Sequence, residues 1–250
     1  MSTTDIEPDE VELTVLLSFP RSGSNFLQNV VKSNDPSIQC TSIHGKGRFL
    51  RRRALLKSHA NGDEMLRGEL RGTWNRTAPE RARIVLVRDP RDVVISYYDF
   101  LQPVFSGEVT PDNLFEQDFD WLRAEYRRRT LGREVARPGE GMTGGLYTLI
   151  HAMRDWYAGW EAADGDMPTL RLRFEDLLSA PKESFDAIFA HLGLPLRESY
   201  DGRDVLVSQQ GTSDRPRGRA QGWRIAPETF HPLIARAEAE FAPQIARFGY

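Results

Sequence analysis

Four short stretches of this 250-residue chain carry side chains whose types and spacing suit an anion. In "SFPRSGSNF" (residues 18–26) Arg21 offers a permanent, forked positive charge, while Ser22, Ser24 and Asn25 offer polar side chains. Gly23 lets a backbone come close to a ligand. A strand, this loop and a following helix would gather backbone N–H groups and a helix N-terminus around one point, an arrangement that favours phosphate or sulfate. The Gly-Lys-Ser/Thr ending of an ATP-binding P-loop is missing. Taken alone, the stretch also reads as a tight strand–helix turn with a surface arginine.

In "LLKSH" Lys57 and His59 lie two residues apart at a strand end and point the same way. By itself, a solvated loop histidine is the plainer explanation of His59. In "VRDPRDVVISYYDF" (87–100) Arg88 leaves a strand and Ser96 lies in the next helix, so both can reach one anion near the sheet edge. The competing expectation is a local ion pair of Arg88 with Asp89 or Asp92. "DRPRGRAQGW" (214–223) sets Arg215, Arg217 and Arg219 in alternation, broken by Pro216 and Gly218. Such a run repels itself unless it meets an anion or water. Four anion-friendly stretches in a chain of net charge −3 point to one polyanionic ligand.

The elements that must hold these residues are legible as apolar runs. "LTVLLSF" (13–19), "ALLKS" (54–58), "RIVLV" (83–87) and "TLRLRF" (169–174) read as short buried strands. Helices follow three of them. One carries Phe26, Leu27, Val30 and Val31 on one face; one opens with Asp89 as N-cap and Pro90 in first position. Another starts near Pro181, buries Phe185, Ile188, Phe189 and Leu192, and stops at Gly193. Strand–helix alternation predicts an α/β fold: a single domain over 13–250 with a central parallel sheet and helices on both faces. Residues 102–145 read as irregular around a helical "FEQDFDWLRAEYRRR", and as a substrate-side lid or insertion.

Composition narrows the function classes. Net charge −3 excludes a nucleic-acid binder held by bulk charge. Basic residues nevertheless cluster at 46–57, 123–137 and 215–224, and residues 1–12 form an acidic tail expected to be disordered. Cys40 is the one cysteine, so no internal disulfide forms and a reducing, cytoplasmic setting is expected. No apolar run is long enough to span a membrane.

These pieces, in this order, resemble the sulfotransferases that use 3′-phosphoadenosine-5′-phosphosulfate (PAPS). The resemblance spans about residues 13–225 and is weakest over 101–168. "FPRSGSNF" resembles the family's 5′-phosphosulfate loop, Tyr-Pro-Lys-Ser-Gly-Thr-Thr-Trp, with Arg21 at the lysine's place and Phe26 at the tryptophan's. "LLKSH" resembles the Lys-Thr-His segment, which sets His59 at the place of the catalytic base. "VLVRDPRDVVISYYDF" resembles the 3′-phosphate segment, with Arg88 and Ser96 at its spacing. "RFEDL" resembles Arg-Tyr-Glu-Asp-Leu, so Phe174 replaces a tyrosine near the adenine. The late Arg-Lys-Gly segment is altered: aligned on Gly218 and Trp223, Pro216 takes its first basic place and Arg217 its second. Which of Arg215, Arg217 and Arg219 meets the 3′-phosphate stays open, and no Lys-Thr-Val-Glu dimer segment follows Trp223.

The resemblance implies in-line sulfuryl transfer from PAPS to a hydroxyl or amine of a small acceptor, with PAP as product and no metal. His59 is then the general base, Arg21 stabilises the leaving 5′-phosphate, and Lys57 neutralises the sulfuryl oxygens. Ser22, Gly23, Ser24, Asn25 and Phe26 hold the phosphosulfate; Arg88, Ser96, Gly218 and the neighbouring arginines hold the 3′-phosphate. Tyr97, Tyr98, Phe100, Phe105, Phe119, Trp121, Trp156 and Tyr157 lie in or beside the weakly matched stretch and suggest an apolar or aromatic alcohol. Helix core is the alternative for most of them, Trp156 and Tyr157 above all. Two rival functions are a P-loop kinase or NTPase, and a PAP-binding module without catalysis.

Overall fold

The computed structural model describes residues 10–43, 49–61, 66, 78–132, 146–161, 167–195 and 221–250. The fold is α/β, with a five-stranded sheet flanked by helices. Strands β1 (Glu12–Ser18), β2 (Gln39–Ser42), β3 (Arg53–Ser58), β4 (Glu80–Val87) and β5 (Thr169–Arg173) pair in the order β2-β3-β1-β4-β5. Every pairing is parallel. β1 and the second half of β4 are buried residue after residue, as befits central strands covered on both faces. From β1 the chain visits β2 and β3 on one side and β4 and β5 on the other. The loop after β1 therefore stands at the switch point, beyond the carboxyl ends of the strands, where such sheets bind ligands.

Two compact units divide the chain. The first runs to Arg88 and resumes over Gly159–Ala220; the second takes Asp89–Ala158 and Gln221–Tyr250. In the first unit, α1 (Ser24–Asn34) and α6 (Pro181–His191) share a core with the sheet through Leu16, Leu27, Val31, Ile84, Phe185 and Phe189. α6 ends as expected, with Gly193 in the left-handed conformation just beyond it.

In the second unit, α2 (Pro90–Phe105) opens on Asp89, whose carboxylate accepts from the Arg91 N–H at 3.0 Å. The same carboxylate, wholly buried, receives a two-pronged bond from the Arg91 guanidinium at 2.9 and 2.8 Å, and Arg91 reaches Glu238 at 2.9 Å. Glu238 lies on α7 (His231–Glu240), which α8 (Ala242–Phe248) follows. The unit also holds α3 (Phe119–Leu131) and most of α4 (Leu149–Glu161). Trp156 and Tyr157 are core, at 1% and 2% exposure, with Tyr157 packed against Trp156, Phe241 and Phe248.

Four expectations change. β2 has no counterpart among the expected strands, because "QCTS" carries no apolar run and sits half-buried at the sheet edge. Phe174 does not end β5 but opens a short helix, α5 (Phe174–Ser179), which turns its ring inward. Residues 102–105 are not irregular. They complete α2, which tolerates Pro103 in its last turn, and a 3₁₀ turn forms at Leu114–Glu116. The fold also reaches back into the acidic segment: Val11 is buried, and Glu12 starts β1 and pairs with Arg53 at 2.8 Å. The remainder of the tail, residues 133–145, and Arg215, Arg217, Gly218 and Arg219 lie outside the described residues. Among the described residues, no helix is long and apolar enough to cross a membrane.

Candidate active site

The loop between β1 and α1 is built on a turn with the marks of type II. The Ser22 N–H bonds back to the Phe19 carbonyl at 3.2 Å, Pro20 fills the second position, and Arg21 takes φ +73° in the third. Glycine or asparagine ordinarily fills that third place. An arginine there costs on the order of 1–2 kcal/mol in backbone strain. Such strain persists only where the surroundings overdetermine it, and here Arg88 Nη1 donates to the Arg21 carbonyl at 2.9 Å. Arg21 is thus a non-glycine residue of permanent charge held in a backbone conformation that glycine ordinarily takes.

Gly23 follows at φ +92° and caps α1 without any side-chain hydrogen bond. A Cβ on Gly23 would fall 2.2 and 2.4 Å from two ring carbons of Phe174. The glycine thus makes room for Phe174 beneath the loop, a demand that sequence reasoning assigned to the ligand. The first intrahelical bond here is Leu27 N–H to the Gly23 carbonyl at 3.1 Å, so the amides of Ser24, Asn25 and Phe26 have no acceptor within α1. Ser22 and Ser24 are buried. The Phe26 ring goes into the core, edge-on to Phe174 and Phe185, so its contribution at the loop is its amide.

β3 lies beside β1, and their register sets Leu16 opposite Lys57 and Leu17 opposite Ser58. That alignment carries Lys57 and His59 to the loop. Lys57 Nζ donates to Asn25 Oδ1 in the first turn of α1. Burial pushes the Lys57 ammonium below its ordinary pKa, since the charged form loses water. His59 Nδ1 lies 2.6 Å from the Ser18 carbonyl oxygen and 3.5 Å from Ser18 Oγ. A carbonyl only accepts, so Nδ1 carries the proton at this contact, and in the neutral form of the ring the lone pair belongs to Nε2.

The segment after His59 is fastened too. The Ala60 N–H bonds to Ser58 Oγ at 3.0 Å, and the Ala60 carbonyl accepts from Trp160 Nε1 at 2.7 Å. Trp160 is 1% exposed, lies under the Arg83 guanidinium at 5.3 Å, and gives its carbonyl to Arg171 at 3.0 Å. Neither Trp160 nor the Ser18 carbonyl was found from the sequence. Backbone acceptors leave no trace in residue types, and Trp160 is distant along the chain.

Arg88 emerges one residue past β4 and lies over the Phe174 ring at 4.7 Å. The Asp89 carboxylate pairs with Arg91. In the second unit, Ser96 stands in the second turn of α2. Asp92 Oδ1 accepts the Trp223 N–H at 2.9 Å, and the Arg91 guanidinium stacks on the Trp223 ring at 3.8 Å. The end of the "DRPRGRAQGW" stretch is thereby moored to the first turn of α2. Among the described residues, no group of three or more His, Cys, Asp or Glu could hold a metal ion.

The chain is similar to solved structures. A mouse sulfotransferase complexed with PAP matches over 94% of this chain and 88% of its own, with 17% identity and a TM-score of 0.53. A sulfotransferase domain from the curacin biosynthetic pathway covers 96% of this chain and 98% of its own at 14% identity and TM-score 0.49. A sulfotransferase from Alicyclobacillus acidocaldarius covers 90% and 94% at 14% identity and TM-score 0.47. No curated protein matches the sequence. The family model described as "Sulfotransferase domain" matches residues 12–216, most of the chain, and the protein belongs to that family.

Proposed function

We propose that the protein transfers a sulfuryl group from PAPS to a hydroxyl or amine of a small acceptor. The observation that carries this reading is the contact of His59 Nδ1 with the Ser18 carbonyl. The Nδ1–H is spent on the Ser18 carbonyl at 2.6 Å, which leaves Nε2 as the base, at the same sheet edge as the strained Arg21 loop. As the acceptor oxygen bonds to sulfur, the bond from sulfur to the 5′-phosphate oxygen breaks, and the acceptor's proton passes to His59 Nε2. PAP leaves with the electron pair of the broken bond. An imidazole suits this step because its reference pKa, about 6.5, lies close to working pH.

The residues present fit a phosphosulfate. The first-turn amides of α1 and the helix N-terminus meet anionic oxygens without a metal. Arg21 stabilises charge gathering on the leaving phosphate, and Lys57, held at Asn25, neutralises the sulfuryl oxygens. In such a loose transfer, catalysis is mainly positioning and charge stabilisation. The donor's 3′-phosphate is assigned by sequence resemblance to Arg88, Ser96 and the arginines at 215–219. The acceptor is an apolar or aromatic alcohol, a reading supported by the partly exposed Tyr98, Phe100 and Trp121.

A thermal-shift comparison of PAP, ATP and ADP tests the donor. PAP saturating at 100 times its Kd stabilises by about 2.7 kcal/mol. Stabilisation by PAP with little from ATP is expected. A preference for ATP with Mg²⁺ would overturn the proposal in favour of a kinase or NTPase. Turnover of labelled PAPS across a panel of phenols and alcohols then separates an enzyme from a PAP-binding module.

A further inference from the structure

The basic stretch beginning at residue 123 has no part in the donor chemistry above. On α3, two of its arginines are matched by acids. Arg128 Nε donates to Glu125 at 2.7 Å, while Arg129 bonds Glu125 at 2.7 Å and Glu108 at 2.6 and 2.9 Å. The other two are not. Arg123 and Arg127 stand one helical turn apart on the stripe that starts at Phe119, and both are half-buried. Among the described residues, neither has an ion pair or hydrogen bond to an acid. The Arg123 guanidinium lies 5.6 Å from the Phe119 ring centre, a contact with a ring rather than an anion. Burial, and then the field of Arg123, hold Arg127 below its ordinary pKa. Asp155 accepts the Tyr147 hydroxyl at 2.9 Å, and that phenol feels the charges of Asp155, Asp120 and Arg123 together.

Like charges one turn apart destabilise a helix, and half-burying them adds a desolvation cost. A bridging anion removes both costs, and two guanidinium forks match the oxygens of a carboxylate or sulfonate. Beside Arg127, Tyr126 stacks on Phe100 with ring centres 4.3 Å apart and planes at 29°. Both rings are partly exposed, so they form an aromatic ledge next to the cationic pair. We infer that Arg123 and Arg127 form a binding site for a small aromatic anion, with its carboxylate or sulfonate between the guanidiniums and its ring on the Phe100–Tyr126 ledge. The site lies wholly in the second unit and holds whether or not PAPS is the donor.

Calorimetric titration of the full chain with naphthalenesulfonate, and in parallel with neutral naphthol, tests the inference. The sulfonate should bind roughly tenfold tighter than the alcohol, the weight of one charge-assisted pairing. The double variant Arg123→Gln/Arg127→Gln should lose that preference, keep naphthol binding, and melt no lower than the parent, because it removes a repulsion. Arg123→Lys/Arg127→Lys should retain part of the preference, and Arg128→Gln all of it. Equal binding of the two probes to the parent chain would overturn the inference. So would a sulfonate preference that survives in the glutamine variant, since the sulfonate would then sit elsewhere, as at the β1–α1 loop.

Discussion

Replacing Gly23 with alanine adds one methyl group at the point where loop, helix and core meet. Two costs follow from the geometry. At φ +92° an L-residue pays about 1–2 kcal/mol against glycine. The new Cβ would also sit 2.2 and 2.4 Å from Phe174 ring carbons, well inside van der Waals contact. Phe174 is 3% exposed and wedged among Phe26, Gly23 and Arg88, so its ring cannot simply swing away. Relieving such overpacking typically costs about 1–3 kcal/mol. The sum, roughly 2–5 kcal/mol, is a large part of the stability of an ordinary domain. Urea unfolding of Gly23→Ala, Phe174→Leu and the double variant measures both costs. The leucine should recover the packing share in the double variant and leave the φ share behind. A loss below about 1 kcal/mol in Gly23→Ala, or additive single losses with no recovery, would refute the steric account.

Four further outcomes are expected. His59→Ala should bind PAP as tightly as the parent in calorimetry while turnover falls by roughly two to four orders of magnitude; unchanged turnover would remove His59 as the base. Trp160→Phe keeps the buried ring and deletes the donor to the Ala60 carbonyl, so unfolding should show a loss of about 1–3 kcal/mol. If Trp160 positions His59, turnover also drops in that variant while PAP affinity holds. Lys57 has a folded pKa below its ordinary 10.5, so its charge opposes folding below the folded pKa, and that penalty fades as pH rises towards 10.5. Relative to Lys57→Met, the parent should therefore gain stability over that alkaline interval, and a pH series of urea midpoints in both proteins would read the difference. Arg91→Met takes the two-pronged guanidinium bond away from the wholly buried Asp89 carboxylate and should cost about 3–5 kcal/mol by urea unfolding, with no such loss when Glu238, at the exposed end of the network, becomes glutamine.

How far the site was legible depends on the kind of signal each part leaves. The strands that bury both faces, β1 and the later half of β4, are written as apolar runs and were read to within a few residues. The helix starting at Pro90 was equally plain, because a cap and a proline at its first position are local chemistry. Edge strand β2 was missed for the opposite reason: half-buried residues at a sheet margin need no apolar pattern. Phe174 shows the same limit. Its apolar character fitted a strand, but its ring is claimed by Gly23, Phe26 and Arg88 from three other elements.

From residue types and order alone came the α/β class, the family resemblance, and the membership of the loop Arg21–Asn25 with Lys57 and His59. Those features live in short contiguous stretches, and contiguous stretches carry local propensity and charge. The tertiary arrangement alone supplied three things. β1 and β3 pair in a register that carries His59 to Ser18, 41 positions back in the chain. That contact decides which imidazole nitrogen holds the proton. Arg88 bonds the Arg21 carbonyl across a separation of 67, bracing a backbone conformation that arginine does not favour by itself. Trp160 fixes the carbonyl beyond His59 from 100 residues away. Hydrogen bonds to backbone carbonyls place no demand on the type of residue that accepts them, so these contacts exist only once the sheet has brought the strands together.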